Sequence, residues 1–247
     1  MTAISIITSM YRTEQHLPNW SKQVLSFAEE ARKIGLDFEI NAIANEPSEI
    51  ELEHLNKLAL YPWFHIHSVP RESIYASWNR GVRVSTAKVC TFWNVDDIRN
   101  AKAIADGLNQ IANSSSTEET SAVVYFPFIY KRYINFLNHN FLVKRTTVRP
   151  PIFSKAKFIQ SMHMGPFFMF TKSAYGRIGG FDEKYTIVGD YEWQARAAAN
   201  GVQFLKSDTI AGIFTNNGKT LSGSRAAKHT GELQSVYDKF NVAKTAV

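Results

Sequence analysis

The chain has 247 residues, 45% apolar and 20% charged, with a formal net charge of +6; this supports a sizeable core and excludes general disorder. No run approaches the roughly 18 to 20 uncharged residues of a membrane helix, and the N-terminus lacks the basic, apolar, small-residue order of a secretory signal. The one cysteine, Cys90, excludes an internal disulfide framework and suits a reducing cytoplasm, so a cytoplasmic protein is expected.

Ile4 to Ile7 reads as a first strand, followed by the polar turn Thr8-Ser9-Met10-Tyr11-Arg12. Trp20, Val24, Phe27, Ala28 and Ala31 recur at helical spacing, which predicts a helix from about Leu17 to Ile34, ended by Gly35. Phe38 to Ala44 is a second strand that stops at Asn45-Glu46-Pro47-Ser48. Trp63 to Val69 is a third, and Ser73 to Val84 reads as a helix. Val89 to Trp93 is a strand that delivers Asp96 and Asp97, and Ala101 to Ile111 is helical. The polar patch Asn113 to Glu119 is read as a surface loop dividing a single domain into halves of about 1–112 and 120–247. Beyond it, Ala122 to Phe126 and Phe167 to Thr171 read as strands, while the period of 130–160 leaves its structure open. Asp190 to Asn200 is a helix capped by Gly201, Val202 to Leu205 a strand, and Ala226 to Phe240 a terminal helix. The alternation predicts an α/β fold on a mainly parallel central sheet. In such sheets ligands bind beyond the carboxyl ends of the strands. The polar clusters Thr8 to Arg12, Asn45 to Ser48 and Asn94 to Asp97 therefore converge on one crevice.

Two features carry chemistry. Asp96 and Asp97 leave a buried strand together. Hard cations such as Mg²⁺ or Mn²⁺ take one or two carboxylates beside water and phosphate oxygens, although an acidic pair also caps helices. From Thr120 to Phe181 there is no Asp or Glu, while Lys131, Arg132, Lys144, Arg145, Arg149, Lys155, Lys157, Lys172 and Arg177 supply a basic field. An anionic partner fits that field, and a solvated basic face is the alternative. Tyr130, Tyr133, Phe136, Phe141 and Phe153 interleave with these cations. They read first as core aromatics under a basic rim, next as a surface over 130–157 that touches anionic lipid, and last as a nucleic-acid platform.

Ser73-Ile74-Tyr75-Ala76-Ser77-Trp78-Asn79-Arg80-Gly81, followed by Ala87-Lys88 and Phe92-Trp93-Asn94-Val95-Asp96-Asp97, resembles the central block of family 2 glycosyltransferases. Gly179-Gly180-Phe181-Asp182-Glu183 and Gly189-Asp190-Tyr191-Glu192-Trp193-Gln194-Ala195-Arg196 resemble the acceptor-side block of the same family, and the order holds from Ser5 to about Ser222. The resemblance implies a GT-A fold: a Rossmann-like half that binds a nucleotide-sugar donor, continuous with a half that binds a glycan or lipid-linked acceptor. It implies that Thr8, Tyr11 and Arg12 border the nucleotide, that Asn45 and Glu46 stand at the base and ribose, and that Asn79 and Arg80 approach the diphosphate. Asn94 and Asp97 belong to the same donor-binding run, Asp96 is the metal ligand for Mn²⁺ or Mg²⁺, and Asp190 is the general base of an inverting transfer with Glu192 in reserve.

The sequence departs from the family at several places. Asn94 replaces the first acid of Asp-x-Asp, Asn45-Glu46 replaces the base-binding Asp, and Phe214 to Thr220 contains no late His. No Gln-x-x-Arg-Trp run of polymerising members is present, which points to single transfers. A dinucleotide enzyme is disfavoured, because no Gly-x-Gly-x-x-Gly follows the first strand. The rival from another class is a catalytically silent GT-A-like domain that binds a glycan, nucleotide or partner protein.

Overall fold

The computed structural model describes residues 2–114, 120–136, 139–217 and 226–242. Strands β1 (Ile4–Met10), β2 (Phe38–Asn45), β3 (Phe64–Val69) and β4 (Val89–Phe92) alternate with helices α1 (Leu17–Lys33), α2 (Glu49–Leu58) and α3 (Ile74–Val84). There follow β5 (Ile98–Arg99), α4 (Ala101–Asn113), β6 (Ala122–Tyr125), β7 (Phe128–Phe136), β8 (His139–Val148), α5 (Lys155–Gln160), β9 (Phe168–Thr171) and α6 (Lys172–Ile178). Then come α7 (Gly189–Ala199), β10 (Gln203–Lys206), β11 (Gly212–Asn216) and α8 (Ala226–Phe240).

The main sheet has seven strands in the order β10-β6-β9-β4-β1-β2-β3, all parallel except β9. It draws strands from both sides of the 115–119 segment. Nearly every β1 and β2 residue is buried, as expected of strands covered on both faces. One face packs Trp20, Phe27, Phe64 and Trp93 against α1 and α4. The other packs Trp78, Phe92, Phe170, Phe181 and Trp193 beneath α3 and α7, with Trp78 stacked on Phe92 at a centroid distance of 3.9 Å. Cys90 is in this second core, where burial pushes its thiol to about 11.

Outside the open segment, helices α2 and α6 and the short strands β5 and β11 were not anticipated. Helix α2 opens with a capping box in which Ser48 Oγ accepts from Glu51 N and Glu51 Oε2 accepts from Ser48 N; the Ser-x-x-Glu spacing was legible and unread. Helix α6 is short and begins at Thr171, whose hydroxyl accepts from Ala174 N and, in addition, from Ala122 N. The open segment 130–160 is resolved into the antiparallel pair β7–β8 and α5. That pair joins a second sheet in the order β5-β11-β7-β8. Pairing with β11 stops at Arg132, so the rest of the hairpin continues as two strands. Residues 115–119, expected as part of a surface loop, and residues 218–225 lie outside the described residues.

Candidate active site

The carboxyl ends of β1, β2 and β3 open onto a cavity of about 620 Å³ lined by Ser9, Tyr11, Thr13, Asn45, Arg71 and Glu72 among others. The guanidinium of Arg71 lies 4.6 Å from the centre of the Tyr11 ring and that of Arg12 lies 5.2 Å from it. The turn is sharp enough to place Arg12 at φ 54, a left-handed conformation unusual for a side chain of this size. Thr13 is fixed from beneath, because its N–H and hydroxyl both donate to Glu51 Oε1 at 2.6 Å.

A second cavity of about 490 Å³ adjoins the first through Ser9, Tyr11, Thr13, Ile74 and Thr186. Its further walls include Arg12, His16, Tyr75, Trp78, Asn94, Asp96, Asp190 and Phe214. The structure thus brings Tyr11, Arg12, Asn94, Asp96 and Asp190 to one cleft, with Asn45 on the adjoining lobe. Another cavity of about 650 Å³, walled by Phe38, Trp63 and Tyr61, lies at the opposite, amino end of the strands and holds none of these residues.

The two adjacent carboxylates have opposite fates. Asp97 is buried: Thr215 N donates to its Oδ1 at 3.1 Å and Asn94 Nδ2 to its Oδ2 at 3.2 Å, while Trp93 Nε1 donates to its carbonyl at 3.0 Å. It locks the post-β4 loop to β11, and this packing turns Asp96 toward the cleft. Burial pushes both carboxyls up, the more deeply buried Asp97 the further, and the neighbouring Asp96 adds to the rise there. Arg99, also buried, donates to Thr91 Oγ1 at 2.6 Å and lies over the Phe167 ring at 5.0 Å. Burial brings its guanidinium down to about 10.

Asp190 begins α7 on the far wall. Its Oδ1 accepts from Tyr191 N at 2.9 Å and from the Tyr75 hydroxyl at 3.3 Å, and that hydroxyl also donates to the Ile187 carbonyl at 2.9 Å. Burial pushes this carboxyl up to about 6. The preceding Gly189 is required by contact, since a Cβ there would meet the Tyr75 ring at 2.6 Å.

Several residues expected at the donor are elsewhere. Thr8 is buried within β1, away from the cavity walls, and its hydroxyl has no partner among the described residues. Asn45 lines the first cavity, but its amide is committed to Met10 O, Ser77 Oγ and Glu72 N, so it shapes the pocket floor. Glu46 is exposed at φ 44 and does not line the pocket. Asn79 donates to Phe181 O and Glu183 Oε1 and accepts from Phe181 N and the Tyr175 hydroxyl, fastening α3 to the Gly180-Phe181 turn. Arg80 pairs with Glu72 at 2.8 Å. Glu192 is fully buried between Arg196 and Lys239, each at 2.8 Å, and is no reserve base for the cleft. Residues two apart on a helix point about 200° apart, so Glu192 turns inward where Asp190 turns to the cavity. Unanticipated cleft residues are Ser9, Thr13, Arg71, Tyr75, Trp78 and Thr186. The signal for Arg71 was its place just beyond the third strand.

The donor set allows one kind of metal site. No group of three His, Cys, Asp or Glu side chains forms a cage among the described residues. Asp96, with the Asn94 amide oxygen beside it, fits a hard cation that takes one carboxylate and completes its shell with water and substrate phosphate oxygens.

No protein-family model matches the chain, and no curated protein resembles it in sequence. Solved structures do match in three dimensions. S. aureus TarS 1-349 in complex with UDP-GlcNAc aligns with a TM-score of 0.68 at 13% identity, over 99% of this chain and 68% of TarS 1-349. The mannosyltransferase PcManGT of Pyrobaculum calidifontis, in complex with GDP-Man and Mn²⁺, aligns with a TM-score of 0.66 at 12% identity, over 99% of this chain and 65% of the other. A longer TarS structure is covered over 40% of its length. The chain therefore has the GT-A fold, the α/β architecture expected from its sequence.

Proposed function

We propose that the chain is a glycosyltransferase that moves a sugar from a nucleoside-diphosphate donor to an acceptor hydroxyl with inversion. The observation that carries this reading is the pairing of Asp96 and Asp190 on the walls of one cleft, with the Asp190 carboxyl raised to about 6. A base with a pKa near the working pH combines availability with proton affinity. Asp190 would take the proton of the acceptor hydroxyl as its oxygen bonds to the anomeric carbon and the bond to the diphosphate breaks. The lobe built by Tyr11, Arg71 and Asn45 would hold the nucleoside, and Tyr75 would orient Asp190. Asp96 would hold a Mn²⁺ or Mg²⁺ ion, whose charge offsets that of the departing diphosphate. GDP-Man with Mn²⁺ in PcManGT and UDP-GlcNAc in TarS support a nucleotide-sugar donor and a divalent metal.

The acceptor is proposed to be a glycan or lipid-linked saccharide. Among the described residues no helix is long and apolar enough to cross a membrane. The hairpin within 130–157 exposes Ile134, Phe141, Leu142 and Val143 beside Arg132 and Lys144, so Phe141 is not the core aromatic expected from the sequence. That mixture supports peripheral contact with anionic lipid at the inner face of a membrane in a cytoplasmic protein.

One observation favours the silent-domain reading: Asn94 supplies an amide, and its Nδ2 is committed to Asp97, so Asp96 is the one carboxylate of that run on the cleft. Calorimetry with UDP- and GDP-sugars, with and without Mn²⁺, separates the two. Metal-dependent binding with slow donor hydrolysis is expected. Tight glycan binding without nucleotide binding would overturn the enzyme reading.

A further inference from the structure

A third cavity, of about 320 Å³, opens on the other side of Asp96 and shares His16, Val95 and Asp96 with the cleft. Its floor is one face of the second sheet, and strand register determines which side chains stand there. Thr215 on β11 pairs with Lys131 on β7, and both wall the cavity; Arg145 on β8, opposite Lys131, continues the row on the exposed part of that face beyond the cavity wall. The row begins at the loop it serves, because Thr215 N donates to Asp97 Oδ1. On the opposite face, Phe214 stacks on Tyr130 at 6.0 Å and walls the cleft. The sheet is thus a partition between two chambers that meet at Asp96.

Lys131 directly faces Arg145 across the strands. Like charges in this position destabilise a sheet unless an ion of opposite sign lies between them. No acid occurs between Thr120 and Phe181, and neither cation forms an ion pair among the described residues. Neutral donors surround Lys131 in the lobe, including Asn19, Gln15 and the Tyr133 hydroxyl. Asp96 at the shared mouth is one negative charge against two positive.

We propose that the edge of this chamber is a phosphate-binding lobe, in which Lys131 from the wall and Arg145 from the adjoining exposed face of β8 hold a phosphate group beside the cleft. Several oxyanions on one group can meet two opposed cations and a hydroxyl donor at once, and charge-assisted hydrogen bonds of this kind are the strong ones. The phosphate is either the terminal phosphate of the donor diphosphate or a phosphate carried by the acceptor. Its part in the reaction rests on the glycosyltransferase reading; its binding does not.

The test titrates pyrophosphate, by calorimetry, into the wild-type chain and into Lys131→Ala, Arg145→Ala and Lys131→Arg. The wild type should bind, each alanine variant should lose about tenfold or more in affinity, and Lys131→Arg should recover most of it. Without phosphate the alanine variants should melt no lower than wild type, since each removes a repulsion; a purely structural lysine would show the reverse. A nucleoside diphosphate and its monophosphate identify the source. If the advantage of the diphosphate disappears in Lys131→Ala, the lobe holds the donor phosphate. If that advantage persists and pyrophosphate still binds the nucleotide-saturated chain, the lobe holds an acceptor phosphate. Lysine-dependent pyrophosphate binding without any sugar-nucleotide binding would keep the lobe and remove the glycosyltransferase reading. Equal pyrophosphate affinity in all four proteins, or none in the wild type, overturns the proposal.

Discussion

Burial holds the Asp190 carboxyl at about 6, above the ordinary aspartate range near 4. A folded-state pKa above the unfolded one means that protonation favours the fold. The contribution is fully present below the unfolded pKa and is lost as pH rises through about 6. Asp190→Asn removes the ionisable group, so it should raise stability at pH 8 by roughly 1–3 kcal/mol and give no gain near pH 4. It should also lower transfer by about 10²–10⁴-fold while sugar-nucleotide binding persists. Melting curves at the two pH values and kcat/KM measured beside donor affinity check both arms. In the wild type, kcat/KM should fall as pH drops below about 6, as the base is protonated. At Asp96 the expectation differs. Asp96→Ala should remove the Mn²⁺ dependence of nucleotide binding, read as the affinity ratio with and without the ion, and an unchanged ratio would move the metal elsewhere. Which carboxylate faces the cleft was not legible in the sequence, because Asp96 and Asp97 are adjacent and identical in kind. The Thr215 amide and the Asn94 side chain, which draw Asp97 inward, come from register and packing.

Helix α8 acts on the site without lining it. Glu232 accepts from Thr186 N and Oγ1, from Ile187 N and from Val188 N at distances of 2.7 to 3.2 Å. Thr186 and Ile187 wall the cleft, and Asp190 follows two residues after Val188. Burial alone would raise the Glu232 carboxyl, but these hydrogen bonds outweigh it and hold the group below the ordinary glutamate value. Its stabilisation is therefore present at neutral pH and lost in acid, as pH falls through the folded value. Glu232→Ala should cost about 2–4 kcal/mol at pH 7 and lower kcat. A stability loss that vanishes in acid would identify the carboxylate as the cause. On the other side, Gly212 sits at φ 159, where a Cβ would lie 1.9 Å from the Ile98 carbonyl. Gly212→Ala should part β5 from β11 and free Thr215 from Asp97, measurable as faster amide exchange at Thr215. Elements with a clear period, such as α1 and β2, were legible to within a residue or two. The β7–β8 hairpin was not: its cations come in adjacent pairs, Lys131-Arg132 and Lys144-Arg145, which put charge on both faces, so no period-2 hydrophobic pattern survives. Helix α7 was legible as a helix, yet which of Asp190 and Glu192 faces the cleft depended on the burial of Arg196 and Lys239 against Glu192.

Convergence of the strand ends was the part of the molecule most legible from sequence, because parallel order follows from βα alternation and places every post-strand turn on one edge. The second sheet was invisible to that rule. It is assembled from the β7–β8 hairpin together with β5 and β11, which are distant from it in sequence, and it supplies the wall that carries Phe214 and Lys131. It also ends in the projecting hairpin, where Ile134 is 47% and Leu142 49% exposed next to Arg132 and Lys144. The hairpin carries the cations Lys131, Arg132, Lys144 and Arg145 and no Asp or Glu. Charge alone would give binding that salt erases, whereas inserted aliphatic side chains add a component that salt leaves intact. Sedimentation with vesicles of phosphatidylcholine, with and without anionic phospholipid, separates the two. Binding to the anionic vesicles is expected at low salt, weakened but retained at 0.15 M ionic strength. Replacing both Ile134 and Leu142 by Asp should reduce it about tenfold or more, since each aliphatic side chain contributes roughly 1–2 kcal/mol when buried. Equal binding to neutral and anionic vesicles, or no effect of the double replacement, would detach this hairpin from the membrane.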